Sequence, residues 1–205
     1  LDEALSRRSY DGIRRDYARL TGASALVELF IKAAPEREPC EELFLLLTHA
    51  LAAIEESPSI GLDFGIQAIV NGVVARLLRW AGVRPATETC RGGCGLGCQD
   101  LGDSTVVATS IADAAWFCPN CREKLGPGPD GAIRVFELES LALAMHDRLL
   151  QLPVRALHAA GAQPPSLLPF LEALAVYHLP GMERSGLKTF SYLKSATLGA
   201  KPIIA

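Results

Sequence analysis

"EPCEELFLLLTHALAAIEES", running from Glu38 to Ser57, decides how the rest of the chain is read. Leu43, Leu46, Leu47, Ala50, Leu51 and Ile54 recur at three- and four-residue intervals, the spacing that lines one face of an α-helix. Pro39 suits the first turn, the early glutamates favour the positive end of the helix dipole, and Ser57-Pro58 ends the run. The pattern returns in "GIQAIVNGVVARLLRWAG" (Gly65 to Gly82), through Ile66, Ile69, Val70, Val73, Val74, Leu77 and Leu78. Gly82 and Pro85 close it. Upstream, "YDGIRRDYARLTGASALVELFIKAAP" (Tyr10 to Pro35) is expected to be helical, and the connections are short enough for antiparallel packing. The fold class is therefore mainly α, a helical bundle.

From Thr87 to Gly131 the character changes. Glycine, proline and cysteine concentrate there, and the strand-like pieces are "STVVATS" (Ser104 to Ser110) and "AIRVF" (Ala132 to Phe136). Helices resume with "ELESLALAMHDRLLQLP" from Glu137, a short "VRALHAAG" from Val154, and "PSLLPFLEALAVYHLPG" after the Pro164-Pro165 break. The division is a first part of the bundle (1–86), a cysteine-rich insertion (87–131), a second part (132–180) and a weakly periodic basic tail (181–205). The insertion is too short and polar to bury a core of its own and needs a staple.

The bulk numbers set limits. With 205 residues, 49% of them hydrophobic and 21% charged, a well-buried core is expected and wholesale disorder is not. The chain opens on Leu1 rather than Met and is expected to be part of a longer protein. Without a leader or a long apolar run, a soluble, cytoplasmic protein is expected. A net charge of −3 hides an asymmetry. Glu28 to Glu56 is strongly acidic, whereas Arg76, Arg79 and Arg84 meet no acid between them. Arg184, Lys188, Lys194 and Lys201 face only Glu183 after Gly181. A polyanion can use such local basic faces whatever the mean.

"CRGGCGLGCQ" (Cys90 to Gln99) and "CPNC" (Cys118 to Cys121) carry the chemistry. Without a secretory signal, disulfides are a poor account of them. A buried, unpaired thiol fits Cys40 but not thiols set in two tight turns. Tetrahedral Zn²⁺ takes four soft ligands delivered as two closely spaced pairs. "CPNC" is one such half, and either Cys90 with Cys94 or Cys94 with Cys98 serves geometrically as the other. Four thiolates close the coordination sphere, so the site is structural. The rival is an iron–sulfur or thiol redox protein using Cys90, Cys94 and Cys98. Catalysis has little support: "RGGCGLG" lacks the strand before and the Lys-Ser/Thr after that a phosphate loop needs. "CPNC" lacks the small α/β setting of a redox motif. The chain is read as a non-enzyme.

A string of features in order resembles the C-terminal part of the RecO family of bacterial recombination-repair mediators. "AGVRPATETC" is similar to the segment leading to that family's first zinc cysteine, which places it at Cys90. "CG" at Cys94-Gly95 resembles the second ligand, and "CPNC" the closing pair, Cys118 and Cys121. "APEREPCEELFLLLTHALAAIEES" and "VVARLLRWAG" resemble the preceding helices, with a basic position at Arg76. "YHLPGMERSGLKTF" is similar to the terminal segment through Tyr177, His178, Leu179, Leu187 and Lys188. The resemblance covers roughly residues 15 to 195. It implies a structural zinc ion on Cys90, Cys94, Cys118 and Cys121. It also implies a mediator that binds single- and double-stranded DNA and promotes annealing. The implied partners are RecR and the acidic tail of single-strand-binding protein, and the outcome is loading of the recombinase at the nucleoid. A zinc-stapled module that binds only proteins is the further alternative.

The DNA- or partner-binding candidates are Arg76, Arg79, Arg84, Arg184, Lys188 and Lys194. If the insertion packs on the helix end, Arg91 and Arg122 join the first three. Arg76, set among apolar neighbours, is equally readable as a snorkelling or ion-paired residue. His49, His146, His158 and His178 read as structural. Trp80 and Trp116 are expected to pack the insertion down, and Phe190 and Tyr192 to stack bases.

Overall fold

A computed structural model of the chain describes residues 9–35, 38–58, 64–124, 135–182 and 187–197. Asp16 splits the expected first helix into α1 (Asp11–Arg15) and α2 (Tyr17–Ala33), because its extended backbone breaks the first run. Its carboxylate then accepts the Arg19 N–H at 2.9 Å and caps the second. α3 spans Glu41–Glu56, with Cys40 at its N-cap. α4 spans Phe64–Trp80 and is buried on nearly every side from Ile66 to Leu78, Arg76 excepted. A helix apolar all round belongs at the centre, and α2, α3, α5 (Ser140–Gln151), α6 (Leu167–His178) and the 3-10 segment Val154–Ala160 all pack against it.

The cysteine-rich stretch builds a small antiparallel sheet in the order β2-β1-β3: β1 Val106–Ser110, β2 Ala115–Phe117 and β3 Val135–Glu139. Ala108 pairs with Phe117, and Val107 with Leu138. The strand-like "STVVATS" is thus β1. Glu137 to Glu139, expected to open a helix, instead lies in β3. Glu and Leu favour helix intrinsically, but pairing with β1 supplies a full ladder of hydrogen bonds and overrides propensity. Val107, Trp116, Phe117 and Leu138 bury into the same core as the helices.

The stretch read as a basic tail carries α7 (Phe190–Thr197), and Leu187, Phe190 and Leu193 are buried. The Glu28 carboxylate of α2 accepts the N–H groups of Lys188 at 3.0 Å and Thr189 at 2.8 Å, together with the Thr189 hydroxyl, so α7 starts on a fixed anchor. No helix among the described residues is long and apolar enough to cross a membrane.

Candidate metal centre and basic surface

The loop after Cys90 and the turn at "CPNC" bring four thiols together. One sulfur each from Cys90, Cys94, Cys118 and Cys121 lies within 4.8 Å of all the others, and Cys94 and Cys118 are 3.8 Å apart. A tetrahedral ion with bonds of about 2.3 Å sets its sulfurs about 3.8 Å apart, so the set fits one metal ion. An iron–sulfur cluster of several irons would hold its cysteines farther apart. The backbone is shaped for the same purpose: Cys118 N–H and Gly92 N–H donate to the Cys90 sulfur at 3.2 and 3.4 Å. Gly92 must be glycine, because a Cβ there would lie 2.7 Å from the Cys121 sulfur. Gly93, at φ 76°, turns the chain so that Cys94 can reach in.

Three of these thiols are buried and Cys94 is exposed. Burial first, then the neighbouring thiols, pushes Cys121 up to about 12. Burial likewise raises Cys90, while the Leu96 N–H lowers Cys94 to about 7. Four sulfurs so close cannot all ionise unaided; a divalent cation supplies the charge that lets them.

Cys98 stands outside this quartet. Its thiol is buried, donates to the Ser140 carbonyl at 3.4 Å and is held up at about 11 by burial and then by Asp147. The geometry thus groups Cys90, and not Cys98, with Cys94, Cys118 and Cys121. It also removes the third thiol that an iron–sulfur reading on Cys90, Cys94 and Cys98 requires. Beside the quartet Trp116 is 1% exposed and packs the insertion down as expected, whereas Trp80 is 41% exposed and does not.

The basic candidates meet different fates. Arg76 is half-buried; its guanidinium donates to the carbonyl of Gly72 at 2.8 Å and to that of Leu152. Arg84 is exposed and pairs with Glu88 at 3.3 Å, and Arg122 pairs with Glu137. Lys194 pairs with Glu172 at 2.7 Å. Arg79, Arg91 and Lys188 are exposed and make no ion pair among the described residues. Arg184 lies outside the described residues. Phe190 is fully buried and cannot stack a base; Tyr192 is 55% exposed. His146 meets Asp147, His158 the Arg155 carbonyl and His178 the Ile111 carbonyl, as structural histidines do, while His49 is exposed.

Residues 14–111 match the family model described as "Recombination protein O C terminal". The curated relatives agree with it and carry the name DNA repair protein RecO. One from a Nostoc species is 32% identical over 90 residues, covering 44% of this chain and 30% of the relative. One from Synechococcus elongatus is 36% identical over 91 residues, covering 44% and 32%. A third, from a Synechococcus species, is 28% identical over 174 residues, covering 77% and 55%. The family-model match and these relatives together support a RecO family member. The chain spans about a third to about half the length of these relatives. The family-model match contains Cys90 and Cys94 and ends before Cys118, so the second half of the quartet is joined to the first by the fold. No solved structure gives a significant match.

Proposed function

We propose that this chain is the DNA-contacting, zinc-stapled helical region of a recombination and repair mediator. It works without catalysis, in the cytoplasm, by holding single- and double-stranded DNA and assisting annealing. Its partners in this reading are a RecR-type mediator and the acidic tail of single-strand-binding protein, and the outcome is recombinase loading. The relatives' shared name as repair proteins carries the reading. The four-thiol quartet supports Zn²⁺ as the resident ion, because four soft ligands in a closed set leave no place for a reacting water. When bound, the ion cross-links the two turns and supplies no chemistry.

Arg79, Arg84, Arg91 and Lys188 are the exposed members of the basic set and suit sequence-independent phosphate contact. Arg76 suits a positioning role, since its charge already serves two carbonyls. Lys194, paired with Glu172, and Arg184, which lies outside the described residues, stay candidates on sequence grounds. A groove on α2 lined by Ala23, Val27 and Ile31, with the Glu28–Lys32 ion pair beside it, suits the apolar end of a peptide.

The test is metal analysis of anaerobically purified protein with a DNA-binding titration against salt. About one zinc per chain, kept by Cys98→Ser and lost by Cys90→Ser, with affinity falling steeply in salt, is the expected outcome. Iron and colour that depend on Cys98 would overturn the metal assignment. Salt-insensitive or absent DNA binding by the zinc-loaded chain would leave a module that serves protein partners alone.

A further inference from the structure

Arg76 reveals an arrangement that its sequence position hides. Its guanidinium reaches across to the Leu152 carbonyl, which lies between α5 and the 3-10 segment Val154–Ala160. That segment runs antiparallel to α4: Gly65 lies against His158, Gly72 against Leu157, and Arg76 against Leu152. Two arginines that no sequence motif flags are thereby carried to the same end of the bundle. Arg148 precedes Leu152 by one helical turn, with its carbonyl accepting the Leu152 N–H at 3.3 Å, and Arg155 follows it by three residues. Both are exposed. Arg79 is exposed one turn beyond Arg76 on α4.

The chain leaving α4 closes the arrangement. Val83 N–H donates back to the Leu78 carbonyl, and the Thr87 hydroxyl donates to Asp147, so Arg84 is drawn to the side of α5. The Arg84 charge acts on Asp147, and the Arg79 charge acts on Arg76. Asp147, the acid next to Arg148, is occupied by Thr87 and His146; Glu88 is occupied by Arg84. Trp80 follows Arg79 directly and is 41% exposed, so its ring is open to a ligand. An aromatic face among arginines is the pattern by which single strands are held, bases stacked and phosphates neutralised.

We infer that Arg79, Arg84, Arg148 and Arg155 form one phosphate-contacting surface at the C-terminal end of α4, with Trp80 as its base-stacking platform and Arg76 as the pin beneath. The ligand is single-stranded nucleic acid, and the inference rests on the DNA-binding reading above. An acidic peptide would use the arginines but has no base to stack on Trp80.

The zinc-loaded chain offers a direct probe, since it has two tryptophans and Trp116 is 1% exposed. Titration with an unlabelled single-stranded oligonucleotide is expected to quench the fluorescence of Trp80, and Trp80→Phe to abolish that quench. The double variant Arg148→Ala/Arg155→Ala is expected to weaken binding roughly tenfold and to flatten the salt dependence by about 1.4 in the log–log slope, two single-strand phosphate contacts. The control is Arg14→Ala/Arg15→Ala. These exposed residues sit on α1, which is tied to Glu55 at the far end of α3. That end lies beside Gly65, eleven residues or roughly 16 Å along α4 from Arg76. The control is expected to leave affinity within twofold.

Equal losses in the two double variants would overturn the surface in favour of diffuse charge. Salt-dependent binding without any change in Trp80 emission would also overturn it, while leaving the DNA-binding reading intact. Quenching by an acidic peptide but not by the oligonucleotide would overturn the ligand class. Absence of nucleic-acid binding altogether would remove both this inference and the reading beneath it.

Discussion

Asn71 sits in the middle of α4 at 0% exposure, and neither its side-chain oxygen nor its nitrogen has a partner among the described residues. Gln67, one turn earlier and 4% exposed, leaves its own side-chain oxygen unpaired. A buried amide without hydrogen bonds costs on the order of 1–3 kcal/mol, whereas an apolar group of the same shape there costs nothing of the kind. Asn71→Leu keeps the branched shape and is expected to raise stability by about 1–2 kcal/mol, read as a higher midpoint in denaturant at unchanged slope. A lower midpoint would show that internal water satisfies the pair, which would make Asn71 a hydration site within the bundle.

At the scale of the element, α7 depends on Glu28. Burial opposes its ionisation, but the Thr189 hydroxyl, the N–H groups of Thr189 and Lys188, and Lys32 outweigh burial and bring its pKa down to about 2. A carboxylate lowered on folding adds stability that is present above the unfolded value of about 4.5 and is lost as pH falls through about 2. The contribution is about 2 kcal/mol once solvent screening is allowed for. Glu28→Gln is expected to lose that amount at pH 7. It should also flatten stability against pH between about 4.5 and 2, as followed by thermal melts across that window. A variant whose melts track the parent at both ends of the window would mean that Phe190 and Leu193 hold α7 by burial alone.

Elements of this kind mark where the sequence was legible. α3, α4 and α6 were readable because their apolar spacing runs three turns or more. α7 has eight residues and its anchor lies 161 positions away at Thr189–Glu28, a pairing with no local trace. β3 was misread at Glu137 because its partner is 29 residues upstream, Ala108. The thiol quartet was legible because soft-ligand chemistry and tight-turn spacing are local facts. Which of Cys90 and Cys98 joins the cluster is a tertiary matter: the Cys98 thiol is turned to the Ser140 carbonyl instead. The arginines were legible as a set and not in their fates, since the carbonyl that takes Arg76 is 76 residues away.

Across the whole molecule, the insertion is not an appendage. Ser140 N–H, the first of α5, donates to the Thr105 carbonyl at 2.8 Å, and Leu141 N–H to the Asp103 carbonyl at 3.2 Å. The Ser140 hydroxyl donates to Gly102 at 2.7 Å, and Cys98 to Ser140 at 3.4 Å. Two of the four unpaired N–H groups that open a helix are thus satisfied by the loop that the metal ion would staple. α4, by contrast, closes its hydrogen bonds within itself and is packed on all sides by other helices. Removing the metal with a chelator is therefore expected to release the loop and fray α5 from its first turn while α4 holds. By hydrogen exchange, the amides of Cys90, Cys118, Ser140 and Leu141 should lose protection by tenfold or more, with Ile69 to Leu78 changed little. Uniform loss of protection would show instead that ion, sheet and bundle unfold as one unit, so that the metal sets the stability of the basic surface as well as that of its own loops.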